Sequence, residues 1–97
     1  MRKVLLDFKL THTPEQVQDY LALELDFPEY YGKNLDALYD MLTELSEDTC
    51  IGIFEPEQDR EIDSYIHKVK RVMWDAEAEN PHLCVISADL EENFENV

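Results

Sequence analysis

The chain has 97 residues, 44% of them hydrophobic and 10% aromatic, which is the size and composition of one globular domain. It carries 23 acidic against 8 basic residues, a formal net charge of −15. This charge argues against direct binding to nucleic acid or to an anionic membrane, where basic side chains supply the attraction. It favours solubility and attraction to a basic partner. The plainest alternative is an acidic cytosolic protein without such a partner.

No targeting or cofactor signal stands out in the sequence. In the start, MRKVLLDF, only three apolar residues follow the two basic ones before Asp7, which is too short for a signal-peptide core. No run approaches the length of a membrane span, so we expect a cytoplasmic location. Cys50 and Cys84 lie in apolar runs and are expected to be reduced core thiols. The three histidines share no metal-ligand spacing, so neither a metal nor a cofactor is expected.

The first third of the chain predicts a strand and a capped helix. KVLLDF, residues 3–8, is typical of a strand. Thr13 is the predicted N-cap, with Pro14 as the first helical residue and Gln16 as the third-position partner of a capping box. Apolar residues then follow at helical spacing: Val17, Tyr20, Leu21 and Leu25.

A second helix is predicted to start after Asn34, a favourable N-cap residue. Its core-facing stripe has the spacing of an amphipathic helix and consists of Leu35, Leu38, Leu42 and Leu45. The residues left on the solvent side are Asp36, Tyr39, Asp40, Thr43 and Glu44. Like charges one turn apart weaken a helix by a few tenths of a kcal/mol, so this acidic face has no evident role in folding.

The rest of the chain continues the alternation of strands and helices. TCIGIF and HLCVISA are typical of buried strands, and residues 56–80 carry a long amphipathic helical pattern. We expect a break or a short preceding helix near Asp63, with Ser64 as a cap. These elements predict an α/β fold, a three-stranded parallel sheet with helices packed on it. We expect a single domain over residues 1–88 and an acidic, loosely docked tail over residues 89–97.

The sequence lacks the usual signatures of catalysis. It contains two glycines and so no glycine-rich phosphate loop, and no serine lies in a nucleophile-elbow pattern. Asp36 and Asp40 have helical spacing, unlike a calcium loop, and an exposed helix face cannot separate their pKa values as an acid–base pair requires. We therefore predict that the chain is not an enzyme. Two interpretations stay open: a carboxylate array that imitates nucleic-acid phosphates, and a merely solvated acidic face.

The stretch FPEYYGKNLDALYDML closely resembles the signature of the barstar family, intracellular inhibitors of barnase-like ribonucleases. The resemblance is dense over residues 25–43 and extends more weakly to about Ser87. It implies a barstar-like fold and a ribonuclease inhibitor or immunity protein. Such a protein plugs the active site of a basic ribonuclease or ribonuclease toxin, in a one-to-one complex, and is a monomer when free.

The resemblance also implies which residues meet the partner. Asp40 matches the aspartate that enters the enzyme's phosphate pocket, Asp36 matches a second key aspartate, and Tyr30 matches the principal interface tyrosine. Together with residues from the loop, the second helix and the last helix, the predicted partner-binding set is Tyr30, Gly32, Asn34, Asp36, Tyr39, Asp40, Thr43, Glu44 and Asp75.

Several positions depart from the family pattern. Lys33 stands where an acidic residue is usual, Tyr39 and Leu45 replace tryptophans, and Asp75 replaces a glutamate. These changes bear on the identity of the target more than on the mode of binding. The alternative within the same fold is an acidic adaptor or regulator that binds a basic protein without inhibiting an enzyme.

Overall fold

A computed structural model describes residues 1–54 and 60–88 of the chain. The elements follow in the order β1 (Arg2–Asp7), α1 (Pro14–Glu24), α2 (Leu35–Thr43), β2 (Thr49–Phe54), α3 (Asp63–Glu79) and β3 (Leu83–Ala88). The predicted α/β fold is confirmed, as is the alternation of strands and helices. The predicted tail, residues 89–97, lies outside the described residues.

The three strands form one parallel sheet in the order β1-β2-β3. The central strand β2 is buried along nearly its whole length, as its unbroken apolar sequence predicts for a strand covered on both faces. Among the described residues β3 is an edge strand, and an edge presents unpaired backbone N–H groups. Glu77 on α3 satisfies one of them, since its Oε2 accepts from the Val85 N–H at 2.5 Å.

The main core lies between the sheet and the helices. Leu38 and Leu42 of α2 and Met73 of α3 are completely buried there, while Leu35 and Leu45 are partly buried against the same cluster. The predicted apolar stripe of α2 is therefore confirmed. Burying side chains of this size is worth about 1.5–3 kcal/mol each, which fixes the face that α2 turns outward.

The other face of the sheet carries a smaller apolar cluster. Cys50 is fully buried there and packs with Leu5, Cys84 and Ile86. Both cysteines are free thiols and pair in register across β2 and β3. Only Cys50 is buried, whereas Cys84 is partly exposed. Burial raises the pKa of the Cys50 thiol to about 12.

Both predicted helix starts of the N-terminal half are confirmed. Thr13 Oγ1 accepts from the Gln16 N–H at 3.1 Å, and Asn34 Oδ1 accepts from the Ala37 N–H at 2.7 Å. The capping box differs from the prediction in one bond. Gln16 Oε1 accepts from the N–H of His12 at 2.7 Å, one residue before the cap.

The predicted cap at Ser64 is wrong, whereas the break expected near Asp63 and Ser64 coincides with the start of α3 at Asp63. Helix α3 runs unbroken from Asp63 to Glu79, and no side chain caps its first turn. The Ser64 hydroxyl donates to the Glu61 carbonyl at 3.3 Å instead of accepting from the helix. The Asp63 carboxylate stabilises this end of the helix in two ways. Its Oδ2 accepts from the Arg60 N–H at 3.0 Å, and its negative charge lies at the positive end of the helix dipole.

Candidate functional site

The C-terminus of α1 aims the chain toward the second helix. The Phe27 N–H bonds to the Ala22 carbonyl at 2.9 Å and the Asp26 N–H to the Leu23 carbonyl at 3.4 Å. These two bonds define a Schellman motif. Asp26 occupies its left-handed position with a φ of 55°, a site where glycine is usual because it has no Cβ penalty.

The following segment, residues 28–34, is called the tyrosine loop below. Its two tyrosines point in opposite directions, since Tyr30 is 81% exposed and Tyr31 only 6%. The Tyr31 ring packs on Phe27 with 4.7 Å between centroids, and its hydroxyl donates to Gln18 Oε1. Burial raises the pKa of the Tyr31 hydroxyl, so it remains a neutral donor. Tyr31 anchors the loop and leaves Tyr30 free for contact.

Gly32 and Asn34 bring the loop close to the start of α2. A Cβ on Gly32 would lie 3.2 Å from the Ala37 Cβ, closer than ordinary van der Waals contact. Asn34 Nδ2 donates to the Gly32 carbonyl at 3.2 Å while its Oδ1 caps the helix. Both residues of the predicted set therefore shape the loop from within.

Lys33 makes a contact that the sequence did not indicate. Its Nζ lies 2.7 Å from Asp19 Oδ1 on α1, and its backbone φ is 55°, uncommon for a residue with a long side chain. The hydrogen bond and charge of Asp19 raise the pKa of the Lys33 ammonium. The one basic residue of the tyrosine loop is thus turned back onto the body of the protein.

The acidic face of α2 consists of Asp36, Asp40 and Glu44. All three side chains are exposed and lie one turn apart, opposite the buried Leu38 and Leu42. The helix dipole supports Asp36 in the first turn by about 0.3–1 kcal/mol, and nothing comparable supports the other two. The fold thus fixes the direction of these carboxylates without needing their charge.

The tyrosine loop and α2 together enclose an open cleft of about 240 Å³. Its lining includes four residues of the predicted set, Tyr30, Gly32, Asp40 and Glu44, with Tyr31, Ala37 and Met41 beside them. An aromatic ring and two carboxylates around a recess have the chemistry that suits a cationic group such as a guanidinium.

The remaining predicted residues lie outside the cleft lining. Thr43 is half-buried, and its hydroxyl donates to the Tyr39 carbonyl at 2.9 Å, a bond within α2. Tyr39 is half-buried against the core. Asp36 is exposed at the start of α2, and Asp75 is exposed on α3, the helix that packs against α2.

Asn80 is a residue of this region that the sequence did not indicate. It is 3% exposed and its Nδ2 donates to the carbonyls of Leu42 at 2.9 Å and Leu45 at 3.0 Å. Asn80 thereby ties the C-terminal end of α2 to the end of α3. The available signal in the sequence was an asparagine directly after a helical pattern. Its hydrogen-bond partners lie 35–38 residues away, so the sequence does not identify them.

The part of the chain that the structure describes contains neither a metal-binding cluster nor a membrane-spanning helix. Residues 1–54 and 60–88 contain no group of three or more histidine, cysteine, aspartate or glutamate side chains that could hold a metal ion. In the same residues, no helix is both long enough and apolar enough to cross a bilayer.

A parallel α/β domain that presents a fixed loop, an exposed tyrosine and a row of carboxylates has the features of a protein-binding module. The chain belongs to the barstar family, because the family model described as Barstar (barnase inhibitor) matches residues 1–86. Members of this family are inhibitors and not enzymes, as predicted for this chain.

One curated relative supports the same assignment. The chain is 51% identical over 43 residues to a protein of Bacillus subtilis (strain 168) named "Putative ribonuclease inhibitor YrdF". The match covers 44% of this chain and 47% of the relative, so it spans about half the length of each protein.

Proposed function

We propose that this protein inhibits a basic ribonuclease by inserting its tyrosine loop and the acidic face of α2 into the enzyme's active site. Membership of the barstar family and the name of the Bacillus subtilis relative support the class of function. The observation that carries the proposal is the cleft, where the exposed Tyr30 meets the Asp40 and Glu44 carboxylates on a buried scaffold.

The chemistry of inhibition follows from the substrate that such an enzyme binds. A ribonuclease holds RNA phosphates with basic side chains, and exposed carboxylates one turn apart offer the same donors an alternative anion. Asp40 loses its water on insertion, so it must meet several donors to offset the desolvation cost. Asp36, Glu44 and Asp75 extend the negative surface around it, while Tyr30 and Tyr39 supply apolar contact area.

The net charge of the protein increases the rate at which the complex forms. With a net charge of −15 the protein attracts a basic enzyme over distances of about a Debye length, roughly 8–10 Å at physiological salt. Barnase and barstar are the standard example of such steering. We expect a one-to-one complex formed by a free monomer. The cellular role is that of an intracellular antidote, against either an endogenous ribonuclease or a ribonuclease toxin.

The test is inhibition of RNA cleavage by barnase and by other basic ribonucleases, with the protein titrated against a fixed amount of enzyme. We expect cleavage by the target to stop near one equivalent of inhibitor. Tight binding to a ribonuclease without loss of cleavage would overturn the proposal and favour an adaptor.

A further inference from the structure

Two neighbouring residues of α1 reach across to the tyrosine loop. Gln18 contacts Tyr31, and Asp19 contacts Lys33. One contact is buried and neutral, the other is exposed and charged, and they hold the loop on either side of Gly32. Residues Gln18 and Asp19 take no part in the predicted partner-binding surface.

The buried contact is a chain of three side chains. Gln18 is 2% exposed; its Oε1 accepts from the Tyr31 hydroxyl, and its Nε2 donates to the Tyr65 hydroxyl at 2.8 Å. The amide therefore joins the loop to α3 through α1. Leaving a hydroxyl or amide unpaired at this depth is costly, so these hydrogen bonds favour one position of Tyr31.

The exposed contact, between Asp19 and Lys33, holds the Lys33 ammonium against α1. Lys33 has a left-handed backbone, a conformation that is unfavourable for an L-residue with a side chain. The 2.7 Å contact with Asp19 accompanies this strained conformation. It also neutralises the only cation of a loop that is otherwise suited to a basic partner.

We propose that Gln18 and Asp19 are positioning residues, which lock the tyrosine loop before a partner arrives and hold the Lys33 charge away from it. The effect on binding rests on the proposed ribonuclease inhibition, whereas the effect on loop order does not. A loop that is already ordered loses less conformational entropy on binding. A Lys33 side chain released from Asp19 would repel a basic enzyme.

The first experiment measures backbone 15N order parameters of residues 29–34 in the free protein. Tyr31→Phe removes the hydroxyl that holds the loop, and Tyr65→Phe, the matched control, removes the hydroxyl at the other end of the Gln18 amide. Each variant loses one hydrogen bond to the buried Gln18 amide, a buried bond for Tyr31 and a part-buried bond for Tyr65, so we expect both to lower the urea midpoint. Only Tyr31→Phe should lower the order parameters of the loop. Unchanged loop order in Tyr31→Phe would overturn the inference for Gln18.

The second experiment measures association and dissociation with barnase by stopped-flow. Asp19→Asn and its control Glu24→Gln each remove one negative charge from α1, so long-range steering falls equally in both. We expect Asp19→Asn to weaken binding by roughly threefold more than Glu24→Gln. Adding Lys33→Ala to both variants should abolish that difference. Equal affinities of Asp19→Asn and Glu24→Gln would overturn the inference for Asp19.

If the wild-type protein does not bind barnase, the same 15N measurement still tests the positioning role. That failure would count against barnase as the target in the proposed function. Loss of order at residues 32–34 in free Asp19→Asn, with order retained in Glu24→Gln, would still support the positioning role. Retained order in both variants would overturn it.

Discussion

At the scale of single residues, Asp40 separates binding from folding most clearly. Its side chain is exposed on the acidic face of α2 and lines the cleft beside Tyr30. The buried side of the same helix is supplied by Leu38 and Leu42. The fold therefore orients Asp40 but gains nothing from its charge.

The first prediction is that Asp40→Ala weakens binding to the target ribonuclease by at least about 2 kcal/mol, mainly through faster dissociation. The free protein should keep its stability or gain about 0.2–0.5 kcal/mol for each of the two like-charge pairs that are removed, one with Asp36 and one with Glu44. Stopped-flow kinetics and urea denaturation measure the two effects. Glu24→Ala on α1 is the control and should change affinity little. A large loss of stability in Asp40→Ala would show that the aspartate is structural.

Asp26, in contrast to Asp40, lowers the stability of the folded protein through its backbone conformation. It has a φ of 55° at the glycine position of a Schellman motif, next to the negative end of the α1 dipole. We predict that Asp26→Gly stabilises the protein by about 0.5–1 kcal/mol. Lys33→Gly is the matched comparison: it has the same φ but loses the contact with Asp19. Its gain in the free energy of urea unfolding should therefore be smaller, and equal gains would contradict this account.

At the scale of elements, the junction of α2 and α3 depends on one side chain. Asn80 is 3% exposed and donates to the carbonyl of Leu42 in the last turn of α2 and to that of Leu45 just after the helix. We predict that Asn80→Ala lowers the free energy of unfolding by about 1–3 kcal/mol, because these carbonyls lose their buried donor. Urea denaturation measures the loss.

Asn80→Asp is the sharper variant for the same junction. It keeps the shape of the side chain but places a carboxylate, which only accepts hydrogen bonds, against carbonyl oxygens. It should destabilise the protein more than Asn80→Ala does at neutral pH. A loss below about 0.5 kcal/mol in both variants would mean that other contacts hold α2 and α3 together.

The elements themselves could be predicted because their signals are local. Thr13 and Asn34 cap helices that begin one residue later, and the period of Leu38 and Leu42 identifies the buried side of α2. The parallel sheet followed from alternating strands and helices. The predicted cap at Ser64 was wrong although a serine near a helix start is a common cap. In this turn the Asp63 carboxylate accepts the hydrogen bond, from the Arg60 N–H.

The contacts that complete the site could not be predicted in this way. Gln18 and Tyr65 are 47 residues apart, and Asn80 bonds to residues on another helix. A polar residue in a helical pattern gives no information about a partner that only tertiary packing brings near. The contact of Lys33 with Asp19 also depends on tertiary packing, so no local pattern indicated that the Lys33 charge is turned back from the loop.

At the scale of the whole molecule, the net charge should control the rate at which the complex forms. The acidic face of α2 should control the rate at which the complex dissociates. The net charge of −15 is spread over the chain, so removing acids far from the cleft should slow encounter without loosening the complex. Residues 89–97, DLEENFENV, hold four acids and no base. They follow the 1–88 unit that we propose as the inhibitory domain and lie outside the described residues.

We therefore predict that a chain ending at residue 88 associates with its ribonuclease roughly twofold to fivefold more slowly at low salt, with an unchanged dissociation rate. The difference should shrink as salt rises and screens the charges. Stopped-flow at several salt concentrations measures both rates, and the truncated chain should keep the urea midpoint of the full chain. A full-length control with the four tail acids replaced by their amides should behave like the truncated chain. Faster dissociation after truncation would instead mean that the tail contacts the enzyme directly.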